Sequence, residues 1–205
     1  MPTSTTYPNG QTLVSSALTQ QNIDKLMQTL TCGMLGINPP NYALVKVDWP
    51  TAGQPFTQTP SQNCCYLACV TSDSAYSRVR DLCNSSSTAT SVTEEWTYTR
   101  NWRVSWTFYG PSATDCARQV HSATFMDYFN DQLNTCNLYP VEDPPEPTRV
   151  PETFNAQWWD RSDFHIDMYE QVTETITTGV ATSVEIKLYD GAPDDPIADV
   201  VVSTQ

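Results

Sequence analysis

From Trp96 to Phe108 the chain alternates without a break. Trp96, Tyr98, Arg100, Trp102, Val104, Trp106 and Phe108 fall in one row, and Thr97, Thr99, Asn101, Arg103, Ser105 and Thr107 in the other. Successive side chains of a strand point to opposite faces, so a period of two predicts one long strand with an aromatic face and a polar face. Such a strand needs neighbours beside it and a layer over its aromatic face. Arg100 breaks the aromatic row. Buried there it needs a partner; otherwise it stacks on neighbouring rings or marks an exposed strand end.

The flanking segments supply the neighbours. A helix is predicted from Thr19, which can cap it, to Gly36, with Ile23, Leu26, Met27, Leu30 and Met34 at helical spacing. Tyr42–Trp49 reads as a strand. Cys64–Thr71 reads as another, and its unbroken apolar run predicts cover on both faces. Asp81–Ser91 reads as a polar, mobile loop. After Gly110-Pro111, Ser112 and Asp115 form a capping-box pattern that opens a second helix running to about Asn134. Phe164, Ile166, Met168 and Val172 alternate with polar residues in a further long strand, and Val184, Ile186 and Leu188 in a last one. The long strands at 92–109 and 160–178 are expected to be an antiparallel pair or neighbours. The order gives an α+β fold: a mixed or largely antiparallel sheet with about two helices packed on one side. In domain terms, 1–18 is a flexible N-terminal arm, 19–190 a single α+β domain, and 191–205 an acidic C-terminal tail.

Within that domain, 137–161 stands apart. NLYPVEDPPEPTRVPETFNAQWWDR holds five prolines between Asn137 and Pro151. Each fixes φ and removes a backbone donor, so the stretch is expected to be an extended proline-rich arm. It lacks the glycine hinges and catalytic groups of a lid. Trp158 and Trp159 follow. Adjacent residues on an extended chain point opposite ways, so one ring is expected to face the core and the other a partner. This arrangement suits a structural, self-associating protein.

Composition narrows the function further. The chain carries 10 Lys plus Arg against 23 Asp plus Glu, a net charge of −13. Few cations are available for phosphates, which argues against a nucleic-acid gripping protein but not against a channel that DNA crosses without sticking. No window of apolar residues is long enough to span a membrane, so no membrane partner is expected. The N-terminus has neither a basic nor an apolar leader region. Seven cysteines at irregular spacing are read as free thiols rather than a disulfide framework.

Catalytic patterns are few. Neither a phosphate-binding glycine loop nor a nucleophile elbow nor a zinc-protease motif occurs, and no cofactor is expected. Cys65, Cys69 and Cys83 with a histidine form a weak zinc pattern. Asp163, His165 and Asp167 line one strand face, but same-face neighbours lie about 6.5–7 Å apart, wide for a shared ion. Glu94 with Glu95, or Asp194 with Asp195, could be nominated as paired carboxylates, yet adjacent residues seldom face one pocket. The six tryptophans leave a carbohydrate-binding module as the alternative to a structural protein, although Trp96, Trp102 and Trp106 are expected to fill the sheet's core face.

The segments TFYGPSATDCARQV, NLYPVEDPPEPTRVPETFNAQWWDRSDF and FHIDMYEQV, with Thr51-Ala52-Gly53-Gln54-Pro55 before them, together resemble the phage neck terminator, or tail terminator, family of long-tailed phages. The similarity runs from about Gln21 to Tyr189. It implies a non-enzymatic virion protein, assembled in the host cytoplasm, that forms a hexameric ring at the head–tail junction. Such a ring caps the tail tube and meets the connector below the portal, with tail sheath as a further candidate partner. It leaves a channel for DNA. On this resemblance Tyr139, Pro144, Pro145, Arg149, Phe154, Trp158 and Trp159 are expected at the subunit interface. The acidic balance places Glu94, Glu95, Asp163 and Asp167 on the channel wall, where they would repel the duplex over about 8 Å.

Overall fold

Alternation, capping and turn signals are resolved in a computed structural model that describes residues 2–47, 59–154, 156–181, 183–188 and 198–203. The expected Thr51–Pro55 element, Trp49 and the Asp194–Asp195 pair lie outside the described residues.

In chain order the elements are β1 (Thr3–Thr6), β2 (Thr12–Ser15), α1 (Gln20–Met34), β3 (Val45–Val47), β4 (Cys64–Ser72), α2 (Ala75–Arg78), β5 (Asp81–Ser87) and β6 (Ser91–Tyr109). Then come α3 (Ala113–Ala123), α4 (Asp127–Asn134), β7 (Leu138–Pro140), β8 (Thr148–Arg149), β9 (Glu152–Phe154), β10 (Gln157–Trp159), β11 (Arg161–Gly179), β12 (Ser183–Leu188) and β13 (Ala198–Ser203). The chain forms two compact units. The first comprises 17–79 and 98–172; the second comprises 2–16, 80–97 and 173–205. The long strands β6 and β11 contribute to both.

The first unit is α+β. Its strand order is β11–β6–β4–β3, with β3 parallel to β4 and β4 antiparallel to β6. Across β6 and β11 the meeting pairs are Arg100 with Glu170, Arg103 with Asp167 and Trp106 with Phe164. The numbers rise on one strand as they fall on the other, so the two long strands are antiparallel neighbours. The aromatic row of β6 turns inward: Trp102, Val104, Trp106 and Phe108 are buried with Phe164, Ile166 and Met168 of β11. Over that face lie Ile23, Met27 and Leu30 of α1, Ala113, Ala117 and Val120 of α3, and Phe129 and Leu133 of α4. Trp106 Nε1 donates to Thr31 Oγ1 of α1 at 2.8 Å, which satisfies the indole inside the core. Thr19 caps α1 as its position suggested, accepting from the Asn22 amide.

Several expectations change. The described residues hold four helices rather than about two. The predicted second helix is broken into α3 and α4 at 124–126, where Thr124 Oγ1 donates to the His121 carbonyl, a local bond that competes with the helical pattern. Ser112 precedes α3, but its side chain makes no capping bond. In β4 one face is buried through Cys65, Leu67 and Cys69, and the other is covered only in part, with Cys64 buried and Tyr66 and Ala68 half-buried. The proline-rich stretch does not project as an extended arm: β7 and β8 pair in turn along the edge of β11, and β9 with β10 forms a hairpin.

Gly110 makes the return from β6 to α3. Its φ is +107°, and a Cβ there would stand 2.5 Å from the Gln62 carbonyl oxygen, so only glycine fits. Its amide donates to the Asp160 carbonyl, tying this turn to the end of β10.

The second unit is built of strands. Its order is β1–β2–β11–β6–β5, with β12 and β13 as a separate antiparallel hairpin. The segment 81–91, expected as a loop, forms β5 and pairs with Val92–Thr97 of β6. Its sequence, DLCNSSS, has little strand propensity, and the ladder bonds offered by β6 decide its conformation. At the N-terminus Tyr7–Gln11 turns the chain through Gly10 at φ +81°, and β1 and β2 close a hairpin.

Candidate assembly surface

The β9–β10 hairpin separates the two tryptophans. Trp158 pairs across with Thr153 and Trp159 with Glu152. Trp159 is 4% exposed and its ring meets Tyr109 edge-on at 6.1 Å. Trp158 is 75% exposed. The alternation therefore sends one indole into the protein and the other out.

An ionic cluster fastens the hairpin. Arg161 Nη1 donates to Glu152 Oε2 at 2.7 Å, and its Nε and Nη2 donate to both Asp163 oxygens at 2.9 and 2.8 Å. The Tyr109 hydroxyl donates to the other Glu152 oxygen at 2.8 Å. The bonds to Asp163 hold the Arg161 guanidinium above its ordinary range, while burial lifts the Tyr109 phenol above its own. Fork-to-carboxylate bonds of this type fix geometry as well as charge. Beside the hairpin, Arg149 Nε donates to Asp160 Oδ1 at 2.8 Å. Trp158 is thus an exposed aromatic on a braced support. Phe154 lies in β9 opposite Gln157.

Further along β11, Tyr139 of β7 pairs with Tyr169, and both rings are exposed. The Val141 amide donates to the Asp167 carbonyl at 2.8 Å. Pro144 is half-buried beside Phe125, Val141 and Ile166, where a shallow recess opens; Pro145 is exposed.

The acids expected on a channel wall divide. Asp163 is engaged by Arg161. Asp167 accepts both forks of Arg103 at 2.7 and 2.8 Å, which lowers its carboxyl below the ordinary range against partial desolvation. Glu94 accepts from Trp96 Nε1 at 3.2 Å, and Glu94 and Glu95 are both half-buried in β6.

The weak metal patterns named from the sequence do not come together among the described residues. Among the described residues no group of His, Cys, Asp and Glu can hold a metal ion. His121 lies edge-on to Phe125 and Phe164 at 5.2 and 5.3 Å. All seven cysteines are free; burial pushes the Cys64 thiol up to about 11 and raises the thiols of Cys65 and Cys69 as well. Trp102, Trp106 and Trp159 are buried, so they offer no sugar platform. No helix among the described residues is long and apolar enough to cross a membrane.

One polar centre escaped the sequence reading. Glu170 is 1% exposed and accepts from Arg100 Nε at 2.7 Å, Trp102 Nε1 at 2.6 Å and the Leu18 amide at 2.7 Å. Arg100 also donates to the Leu18 carbonyl and lies over the Trp102 ring at 4.7 Å. The signal was present: Glu170 stands in the apolar row of β11, just as Arg100 stands in that of β6. Two opposite charges in two inward rows predict a buried pair.

Residues 21–192 match the family model described as phage neck terminator protein. No curated protein matches the chain.

Proposed function

The chain belongs to the phage neck terminator family, and from that premise we propose that it assembles as a hexameric ring that caps the tail tube and joins the tail to the head connector. The match across most of the chain supports this reading, because the family is a structural one of the phage neck. Its partners are then further copies of itself, the tail tube protein and the connector below the portal, with sheath as a further neighbour. The protein assembles in the host cytoplasm and ends in the virion.

Trp158 is the proposed anchor between subunits, supported by its exposure and by the ionic cluster that holds its hairpin. Tyr139, Pro144, Pro145 and Arg149 lie on the same stretch of chain and extend the contact, with Phe154 in the hairpin itself. Trp159 supports the interface from beneath. DNA passes through the ring without specific binding. Glu94 and Glu95 supply negative charge to the proposed channel wall; Asp163 and Asp167 supply less, since each is neutralised by an arginine.

Imaging purified tails with and without the protein tests the reading. A ring of density at the end of the tube, lost when the gene is deleted together with control of tube length, is the expected result. Tubes of normal length without it would overturn the proposal.

A further inference from the structure

In the first unit, the two outer strands of the order β11–β6–β4–β3 lie on opposite sides of one sheet. The chain leaves complementary charge along them. On the β11 side, the segment joining β7 to β8 presents Glu142, Asp143 and Glu146, all exposed and outside any ion pair among the described residues. The exposed Tyr139 and Tyr169 stand beside them.

The β3 side carries the cations that no carboxylate takes up among the described residues, with Asp24 and Asp115 as the acids on its two helices. Arg78, Arg80, Arg100, Arg103, Arg149 and Arg161 are each committed to carboxylates. Lys25, Lys46 and Arg118 are not, among the described residues. Lys46 lies in β3. Lys25 precedes Gln28, whose amide donates to the Val45 carbonyl of β3 at 2.7 Å. Arg118 adjoins Gln119, whose amide donates to the Met34 carbonyl at the end of α1 at 2.9 Å. On this side opens an apolar cleft lined by Leu35, Ile37, Leu44, Cys65, Phe108 and Cys116; Lys46 acts electrostatically on its Cys64, Arg118 adjoins its Gln119, and Asp115 is the acid nearest its Cys116.

We propose that this cleft and its cationic rim receive the acidic β11 side of a second copy, so that neighbouring copies join head to tail. The assignment rests on the ring reading and deepens it. Like edges repel, which disfavours a two-fold dimer. Unlike edges attract, and a repeated heterologous contact closes into a ring when its rotation permits. Complementary charge sets register and speeds encounter, while Tyr139 and Tyr169 supply aromatic surface to fill the cleft.

Two variants test it. Lys46→Glu with Arg118→Glu makes both edges acidic. Glu142→Lys with Asp143→Lys and Glu146→Lys makes both edges cationic. Each alone should associate at least about tenfold more weakly than the wild type at low salt, and the equimolar mixture should recover assembly as alternating copies. Native mass and thermal melting of each variant establish that the subunits are folded. Cys116, half-buried in the cleft wall, gives a second readout: a thiol reagent that modifies it in the free chain should be excluded in the assembled ring. Folded variants that assemble like wild type, or a mixture that fails to recover, overturn the edge assignment while leaving the ring intact. A wild-type chain found as single copies in complete tails overturns the ring reading itself.

Discussion

The two halves of β6 carry the same alternation and meet different fates. In the first unit Trp102, Val104, Trp106 and Phe108 are no more than 1% exposed. In the second unit Val92, Glu94 and Trp96 continue the row but remain half-buried. Three helices cover the first stretch; among the described side chains of the second unit, Ser15 alone is buried. The second unit is held instead by ladder bonds and by exposed or half-buried hydroxyl contacts such as Thr93 with Thr177 and Thr88 with Ser91. Alternation specifies which way a side chain points. Whether anything stands over it depends on segments distant in sequence. Among the described residues the first unit therefore carries the hydrophobic burial, and β1, β2 and β5 of the second are expected to open more readily.

The strongest way to break this contrast is to remove an indole from each unit. Trp106→Ala should destabilise the protein by about 3–5 kcal/mol in denaturant titrations, through lost burial and a cavity. Trp96→Ala should cost below about 1 kcal/mol. Equal losses would show that the second unit has a core of its own.

Glu170→Ala comes next, at about 3 kcal/mol, because Arg100 and the Trp102 indole would lose a buried acceptor. Chemical denaturation reads it. A loss below about 1 kcal/mol would mean that water reaches the site and that the first unit is less tightly closed than its burial implies.

The tryptophan pair sharpens the comparison inside one hairpin. Trp159→Ala should lower the melting temperature, whereas Trp158→Ala should leave melting nearly unchanged and weaken assembly by about 2 kcal/mol. If Trp158→Ala melts the subunit without affecting assembly, the exposed ring is not an anchor.

Hydrogen exchange compares the units directly. Amides of β1, β2 and β5 should exchange well before those of β4 and the inner half of β6. Simultaneous exchange would show a single cooperative unit.

The smallest effect concerns pH. The Asp167 carboxyl is lowered by its bonds from Arg103, so the pair contributes stability above the ordinary value of 3.8 and loses it as pH falls through the depressed one. Its side chain is 41% exposed and Arg103 52%, so the contribution should stay below about 1 kcal/mol. Asp167→Asn should flatten the acid limb of the stability curve by no more than that.

Much of the first unit was legible because its signals are local. Thr19 caps α1 where the apolar spacing begins, and the rows of β6 and β11 give their inward faces. The opposite orientation of Trp158 and Trp159 follows from the geometry of any extended chain. The candidate surface was only partly legible. Its residues were named from proline content and aromatic character, but the folding of β7 and β8 against β11 could not be read, since prolines limit φ without choosing a neighbour. The Arg100–Glu170 pair was half legible: the need for a partner was visible in one row, and the partner stood unremarked in the other.

The sequence alone determined the class of fold, the inward faces of the long strands, the first helix and its cap, and a family resemblance that the family match bears out. These rest on periodicity and short-range bonds, which a chain carries with it. Tertiary structure decided that the polar stretch DLCNSSS becomes β5, that one predicted helix becomes α3 and α4, and which half of β6 acquires a core. Those outcomes depend on backbone partners and packing layers supplied by distant segments, and no local pattern encodes where a distant segment will come to rest.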